Sequence, residues 1–237
     1  MHRRISLLVA LVAVLGLVAC GGCSEDDAPE APPAACSGDV GPVTGEGTYY
    51  DSDGTGNCGF DASPDRMVAA LNAADYAGAA WCGACVAVTG PDGEAIVRIV
   101  DQCPGCARGD LDLSREAFAK IAPLSAGRVP IRWRPVACDV QGPIAYRFKD
   151  GSNAFWTAIQ IRNHRYAIAS VEARNAAGAY QRIDRVDYNY FIEPSGLGPG
   201  PYTLRVTDTR GHTVEDDGIE LGDAVARTGT AQFPVCP

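Results

Sequence analysis

Trp81-Cys82-Gly83-Ala84-Cys85-Val86 and, shortly after it, Val97-Arg98-Ile99-Val100-Asp101-Gln102-Cys103 form the stretch on which the reading of this chain turns. β-Branched apolar runs at residues 86–89, 96–100 and 129–136 read as buried strands. Around them, Ser63-Pro64 predicts a helix running toward Asn72, with Ser as N-cap and Pro at the first helical position. Ser114 predicts a second helix over residues 115–121, before Pro123. Apolar strands, few helices and many glycines point to a closed barrel with helices in its connections. Asp101 stands where the apolar run ends. A carboxyl is costly to bury there, and burial tends to hold its proton to higher pH. The alternative is an aspartate that caps a turn.

The same stretch holds Cys82-x-x-Cys85 and Cys103-x-x-Cys106 with 17 residues between, a zinc-ribbon spacing. Four further cysteines, Cys36, Cys58, Cys138 and Cys236, lie outside that pattern. The compartment decides between metal and disulfide. Residues 1–19 read as a bacterial export signal: His2-Arg3-Arg4 give a charged start, and residues 7–18 an apolar run too short to span a membrane. It ends in Leu17-Val18-Ala19-Cys20, which resembles a lipobox, so Cys20 is expected to become the lipidated first residue. Gly21 stands where an Asp would favour inner-membrane retention, which points to the outer membrane or cell surface, on the extracellular or periplasmic side. Export implies an oxidising compartment, and four disulfides are favoured over zinc. Eight cysteines alone allow on the order of a hundred connectivities.

Residues 20–38, rich in Pro, Ala, Asp and Glu, read as an acidic tether. Loss of the signal leaves 18 basic against 29 acidic residues, a charge of −11, which argues against nucleic-acid binding. With only His2, His164 and His212, a His-rich metal centre is excluded and a Ser–His–Asp triad has almost no candidates. No metal or cofactor is expected. From residue 142 onward the pattern is strands only, at 144–148, 156–162, 166–171, 186–191 and 202–207, separated by turn residues. Five to eight short strands in such a length suggest a β-sandwich. The expected division is a barrel over residues 39–140 and a sandwich over 141–237.

Trp81–Val86 with Val97–Cys103 is similar to the barwin signature, and Gly109-Asp110-Leu111-Asp112-Leu113-Ser114 to a matching segment of expansins. Gly47-Thr48-Tyr49-Tyr50 resembles the start of the expansin barrel. In the second half, Lys149-Asp150-Gly151-Ser152, residues 156–166 and Asp187-Tyr188-Asn189 resemble the carbohydrate-binding domain of bacterial expansins. The resemblance implies a mainly all-β chain: a six-stranded double-psi β-barrel with short helices, followed by an immunoglobulin-like β-sandwich. It implies a monomeric, non-hydrolytic wall-loosening protein binding cellulose and related glucans. It places Thr48, Asp101 and Asp112 in the barrel groove, with Asp101 as the functional acid, and puts Cys103 where the family has a tyrosine. Phe155, Trp156 and Tyr188 fall on the aromatic platform, where rings meet the apolar faces of sugars, with Lys149 beside them. Strand parity alone turns Trp156 to solvent and Phe155 to the core, unless Phe155 precedes the regular strand. The resemblance further implies disulfides Cys58–Cys82 and Cys85–Cys138, with Cys103–Cys106 and Cys36–Cys236 as the remaining pairs.

Two other functions stay open. One is a glycan-cleaving enzyme, a family 45-like endoglucanase or a peptidoglycan lytic transglycosylase, using Asp101. The other is a binding-only module. Inverting hydrolysis needs a base as well as an acid. Asp51 and Asp53 could supply one, although their Ser-Asp-Gly-Thr-Gly surroundings read as a polar turn. His164 reads as structural rather than catalytic.

Overall fold

Buried apolar residues alternate with exposed ones over residues 94–99 and 129–134, and closing such a sheet buries one face without leaving an edge. The computed structural model describes residue 36 and residues 41–236. Cys20, the signal segment and the tether apart from Cys36 lie outside the described residues. Six strands close the barrel: β1 (Val43–Tyr50), β2 (Val68–Asn72), β3 (Cys85–Thr89), β4 (Glu94–Cys103), β5 (Leu111–Ser114) and β6 (Val129–Val136), in the order β1-β5-β2-β4-β3-β6. The β1/β5 and β2/β4 pairs are parallel and the others antiparallel. Val86, Val88, Val97, Ile99, Leu111 and Leu113 fill the interior. Trp133 joins them, its indole N–H donating to Gly109 O at 2.8 Å.

Two short helices serve the barrel, α1 (Ala73–Tyr76) and α2 (Arg115–Ile121). Ser114 caps α2 as expected, its Oγ accepting from Ala117 N at 3.1 Å. The helix expected after Ser63-Pro64 does not form. Asp65 Oδ1 instead accepts from Ser63 Oγ at 2.7 Å and Met67 N at 3.2 Å, and Arg66 takes φ +50°. This local turn diverts the chain into β2, whose five residues are all buried between two neighbouring strands.

The second half forms one eight-stranded sheet from β7 (Ala145–Phe148), β8 (Thr157–Arg162), β9 (Ile168–Arg174), β10 (Tyr180–Arg185), β11 (Phe191–Glu193), β12 (Tyr202–Asp208), β13 (Thr213–Ile219) and β14 (Ala226–Thr228). Their order is β13-β12-β9-β10-β11-β8-β7-β14. The first four residues of β10 pair with β9 and its last two with β11, so this strand passes from one layer to the other. Tyr146, Phe148 and Ile159 of one half pack with Val171, Leu204 and Val206 of the other in a single core. Residues 186–190, expected as strand, are a turn: Val186 N donates to Tyr190 O at 2.8 Å, and Asn189 sits at φ +65°.

Among the described residues four disulfides staple the chain: Cys36–Cys236, Cys58–Cys82, Cys85–Cys138 and Cys103–Cys106. Every cysteine of the zinc-ribbon spacing is thereby consumed, which removes the thiolates a zinc ion would need.

Candidate functional site

Register places the barrel's polar residues in one row. Thr48 of β1 stands opposite Asp112 of β5, Asp112 opposite Ala70 of β2, and Ala70 opposite Asp101 of β4. The neighbours of Asp112 along β5, Leu111 and Leu113, point into the core, so Asp112 points outward. Ala70 is a small floor with a carboxyl on either side, the two backbones about 10 Å apart across two strand spacings. Thr48 Oγ1 donates to Asp112 Oδ1 at 2.6 Å. Burial raises the Asp112 carboxyl above the ordinary aspartate value, against the Thr48 hydrogen bond and with the Asp101 charge adding to the rise.

Asp101 is held differently. Its Oδ1 accepts from two backbone N–H groups, Asn57 at 2.7 Å and Gln102 at 2.8 Å. The loop bearing Asn57 can come this close because residue 56 is glycine: a Cβ there would stand 2.5 Å from the Asp101 side chain. Tyr50, which the sequence reading did not single out as a site residue, belongs to this cluster. Its hydroxyl is pushed up to about 12, first by burial and further by the charges of Asp101, Asp112 and Asp53. The only sequence signal was its place two residues after Thr48, on the same outward face of β1. Cys103, where the resemblance has a tyrosine, is bonded to Cys106 instead. Asp51 and Asp53 are engaged elsewhere. Asp51 pairs with Arg115 at 3.7 Å, and Asp53 Oδ1 accepts from Thr55 N and Oγ1 at 2.9 and 2.6 Å.

The aromatic residues of the second half sit on two turns. Asn153 N donates to Trp156 O at 2.8 Å, and Asn153 Oδ1 accepts from Phe155 N at 2.8 Å, so the tight turn ends before β8 begins. Phe155 therefore lies outside the strand's parity and is 82% exposed, which removes the core alternative for it. Gly196 seats this turn, since a Cβ there would stand 2.2 Å from Ala154 O. Trp156 is half-buried beside Phe155. Tyr188 is exposed on the 186–190 turn, its ring 6.0 Å from that of Tyr190, over which Lys149 Nζ lies at 5.5 Å.

Asn57 joins the two halves of the site. While its backbone N–H holds Asp101, its side-chain amide donates to Asp187 O at 2.8 Å and to Tyr76 Oη at 3.0 Å. The Tyr76 hydroxyl itself donates to Asp187 O at 3.0 Å. Beside it, Cys58 O accepts from Gln160 Nε2 at 2.8 Å and Asn189 Nδ2 at 3.2 Å. Thus the Asp101 carboxylate and the backbone immediately before Tyr188 share one asparagine. His164 takes no part in these hydrogen bonds; it is buried, with Nδ1 2.7 Å from Tyr166 O.

The chain as a whole is similar to several known proteins. Residues 43–133 match the family model described as lytic transglycolase. Over 201 residues the chain is 39% identical to Expansin-YoaJ of Bacillus subtilis, covering 80% of this chain and 86% of that protein. It is 31% identical over 198 residues to Expansin-like protein 2 of Dictyostelium discoideum, covering 78% of this chain and 49% of that one. The crystal structure of apo Clavibacter michiganensis expansin superposes with a TM-score of 0.76 at 34% identity, covering 82% of this chain and 99% of that one. A mutant of the same expansin in complex with cellohexaose matches equally.

Proposed function

Because the chain belongs to the expansin family, we propose that it loosens plant cell walls without hydrolysis, gripping cellulose and related glucans and disturbing their non-covalent contacts. The observation that carries this is the shared asparagine. It sets the Asp101 end of the barrel row against the Tyr188 turn, so one polymer can lie on both. Phe155, Trp156 and Tyr188 supply the grip through ring faces, with Lys149 beside them. Thr48, Asp101 and Asp112 line the barrel end, where hydroxyls of the chain meet carboxyls. The candidate bases Asp51 and Asp53 are tied to Arg115 and to their own turn, which favours loosening over inverting hydrolysis.

The finer parts of the reading are that the mature protein begins at a lipidated Cys20, works as a monomer at the outer membrane or cell surface, and stands off on its tether. Mass spectrometry of the mature N-terminus tests the first of these, with a diacylglycerol adduct on Cys20 expected. For the activity, wild type and Asp101→Asn are incubated with a panel of insoluble polysaccharides, scoring binding, released sugar and wall extension under load. Both proteins should bind cellulose, neither should release sugar, and only wild type should extend walls. Soluble oligosaccharides or anhydro-muropeptides from wild type, lost in Asp101→Asn, would establish a glycan-cleaving enzyme instead. Full extension by Asp101→Asn would make that residue structural.

A further inference from the structure

A cavity of about 230 Å³ lies between the barrel and the second lobe, lined by residues that the glucan site does not use. Thr48, Asp101, Asp112, Phe155, Trp156 and Tyr188 are all absent from its walls. Phe60, Val68 and Val100 form an apolar side, and Arg98, Arg162 and His164 a polar one.

The polar groups are in three different states. Arg162 is committed, its Nη1 2.5 Å from Asp61 Oδ2 and its guanidinium 5.9 Å from the centre of the Phe60 ring. Arg98 is exposed on the outer face of β4; its charge helps lower the Asp65 carboxyl, but among the described residues no carboxylate oxygen lies within 4.0 Å of it. His164 is 3% exposed. Its Nδ1 faces a carbonyl that can only accept, which fixes that nitrogen as the N–H and leaves Nε2 as a bare acceptor. Burial, with the Arg98 charge adding, pushes the imidazole down to about 4, so the ring is neutral at physiological pH. The Nε2 edge faces Gly83, another wall residue, where a Cβ would stand 2.5 Å away. Only glycine, here at φ +77°, packs this closely against that edge, and no hydrogen-bond partner is seen on Nε2 among the described residues.

A buried lone pair needs an O–H or N–H donor, and an unpaired guanidinium takes a carboxylate. The volume falls below the roughly 300–1,000 Å³ of pockets for drug-sized ligands, which sets the scale at one ring rather than a chain. We propose that this cavity binds a single uronic acid residue, with its carboxylate on Arg98, a hydroxyl donating to His164 Nε2 and its apolar face against Phe60. The carboxylated pyranose is the shared chemistry of a free sugar acid and of a terminal or branch residue on an acidic wall polysaccharide. The site is independent of the glucan reading.

The test is calorimetric titration of the full chain with sodium glucuronate, following the His164 imidazole by nitrogen NMR. Glucose serves as the neutral ring, acetate as the ringless anion, and an oligosaccharide ending in glucuronate as the polymer-borne form. Saturable glucuronate binding that moves the Nε2 resonance is expected, with glucose and acetate at least about tenfold weaker. Arg98→Gln should weaken glucuronate by about tenfold and Arg98→Lys should recover part of the loss. Cellulose binding by Arg98→Gln should match wild type, so failure here is separable from failure of the glucan reading. Tighter binding of the oligosaccharide assigns the site to the polymer, and tighter binding of the free acid assigns it to the sugar. A His164 signal that glucuronate does not move, equal binding of glucose, or wild-type affinity in Arg98→Gln would each overturn the proposal.

Discussion

Replacing Asn57 with alanine removes the side chain that spans the barrel and the Tyr188 turn while leaving both ends of the site in place. Two hydrogen bonds go, to Asp187 O and to Tyr76 Oη. The backbone N–H still holds Asp101, and Asp187 O keeps the Tyr76 hydroxyl, so no buried acceptor is orphaned. At roughly 0.5–1.5 kcal/mol for each bond, and with Asp187 exposed, the loss should be about 1–2 kcal/mol. Urea unfolding should show a lower midpoint with an unchanged slope. Pull-down with crystalline cellulose should equal wild type because the rings are untouched. Wall extension under constant load should fall several-fold, because Asp101 and Tyr188 are no longer held in register. Wild-type extension in a variant that has lost the expected stability would refute the idea that the shared asparagine couples the two halves.

The raised Asp112 carboxyl predicts a pH effect. The folded state holds this proton to higher pH than the unfolded chain, so its stabilising contribution is full below the ordinary value of 3.8 and is lost as pH rises through the raised one. Asp112→Asn keeps an acceptor for Thr48 but does not titrate, and thermal unfolding across the acid range should show a flatter profile. Phe155→Trp enlarges an exposed ring and should tighten cellulose binding by up to about 1 kcal/mol in a depletion assay; no gain would mean that the ring does not touch the polymer. Replacing Cys85 and Cys138 together by alanine opens a bridge across 53 positions, and denaturant unfolding should show a loss of about 2–5 kcal/mol.

The barrel strands were legible because Val86, Val88, Val97 and Ile99 alternate or cluster in ways that only a buried strand satisfies. β2 was not. Ser63-Pro64 is a genuine local helix signal, but Asp65 supplies a competing turn and two flanking strands supply ladder bonds no local rule can see. The 186–190 turn was misread as strand for a similar reason: its apolar and aromatic residues fit a strand, and only Asn189 hinted at positive φ. Period-two parity left Phe155 ambiguous because the first residue of β8 fixes the phase, and that start is set by a side-chain bond from Asn153. The groove residues came from motif resemblance rather than from pattern. Besides Tyr50, the sequence reading missed Asn57. Its contacts to residues 101 and 187 lie 44 and 130 positions away, and nothing in Thr-Gly-Asn-Cys announces them.

The Cys36–Cys236 bond has a mechanical consequence. Cys36 is covalently joined to the far end of the chain, where Phe233 is sunk in the second core and Cys236 N donates to Tyr166 Oη at 2.8 Å. A pull applied to the chain ahead of residue 36 therefore enters the second lobe directly through sulfur. It need not travel along β1 and around the barrel first. The lobe that meets the load is the one that bears Phe155, Trp156 and Tyr188, and the Asp101 end is carried alongside, outside the line of tension.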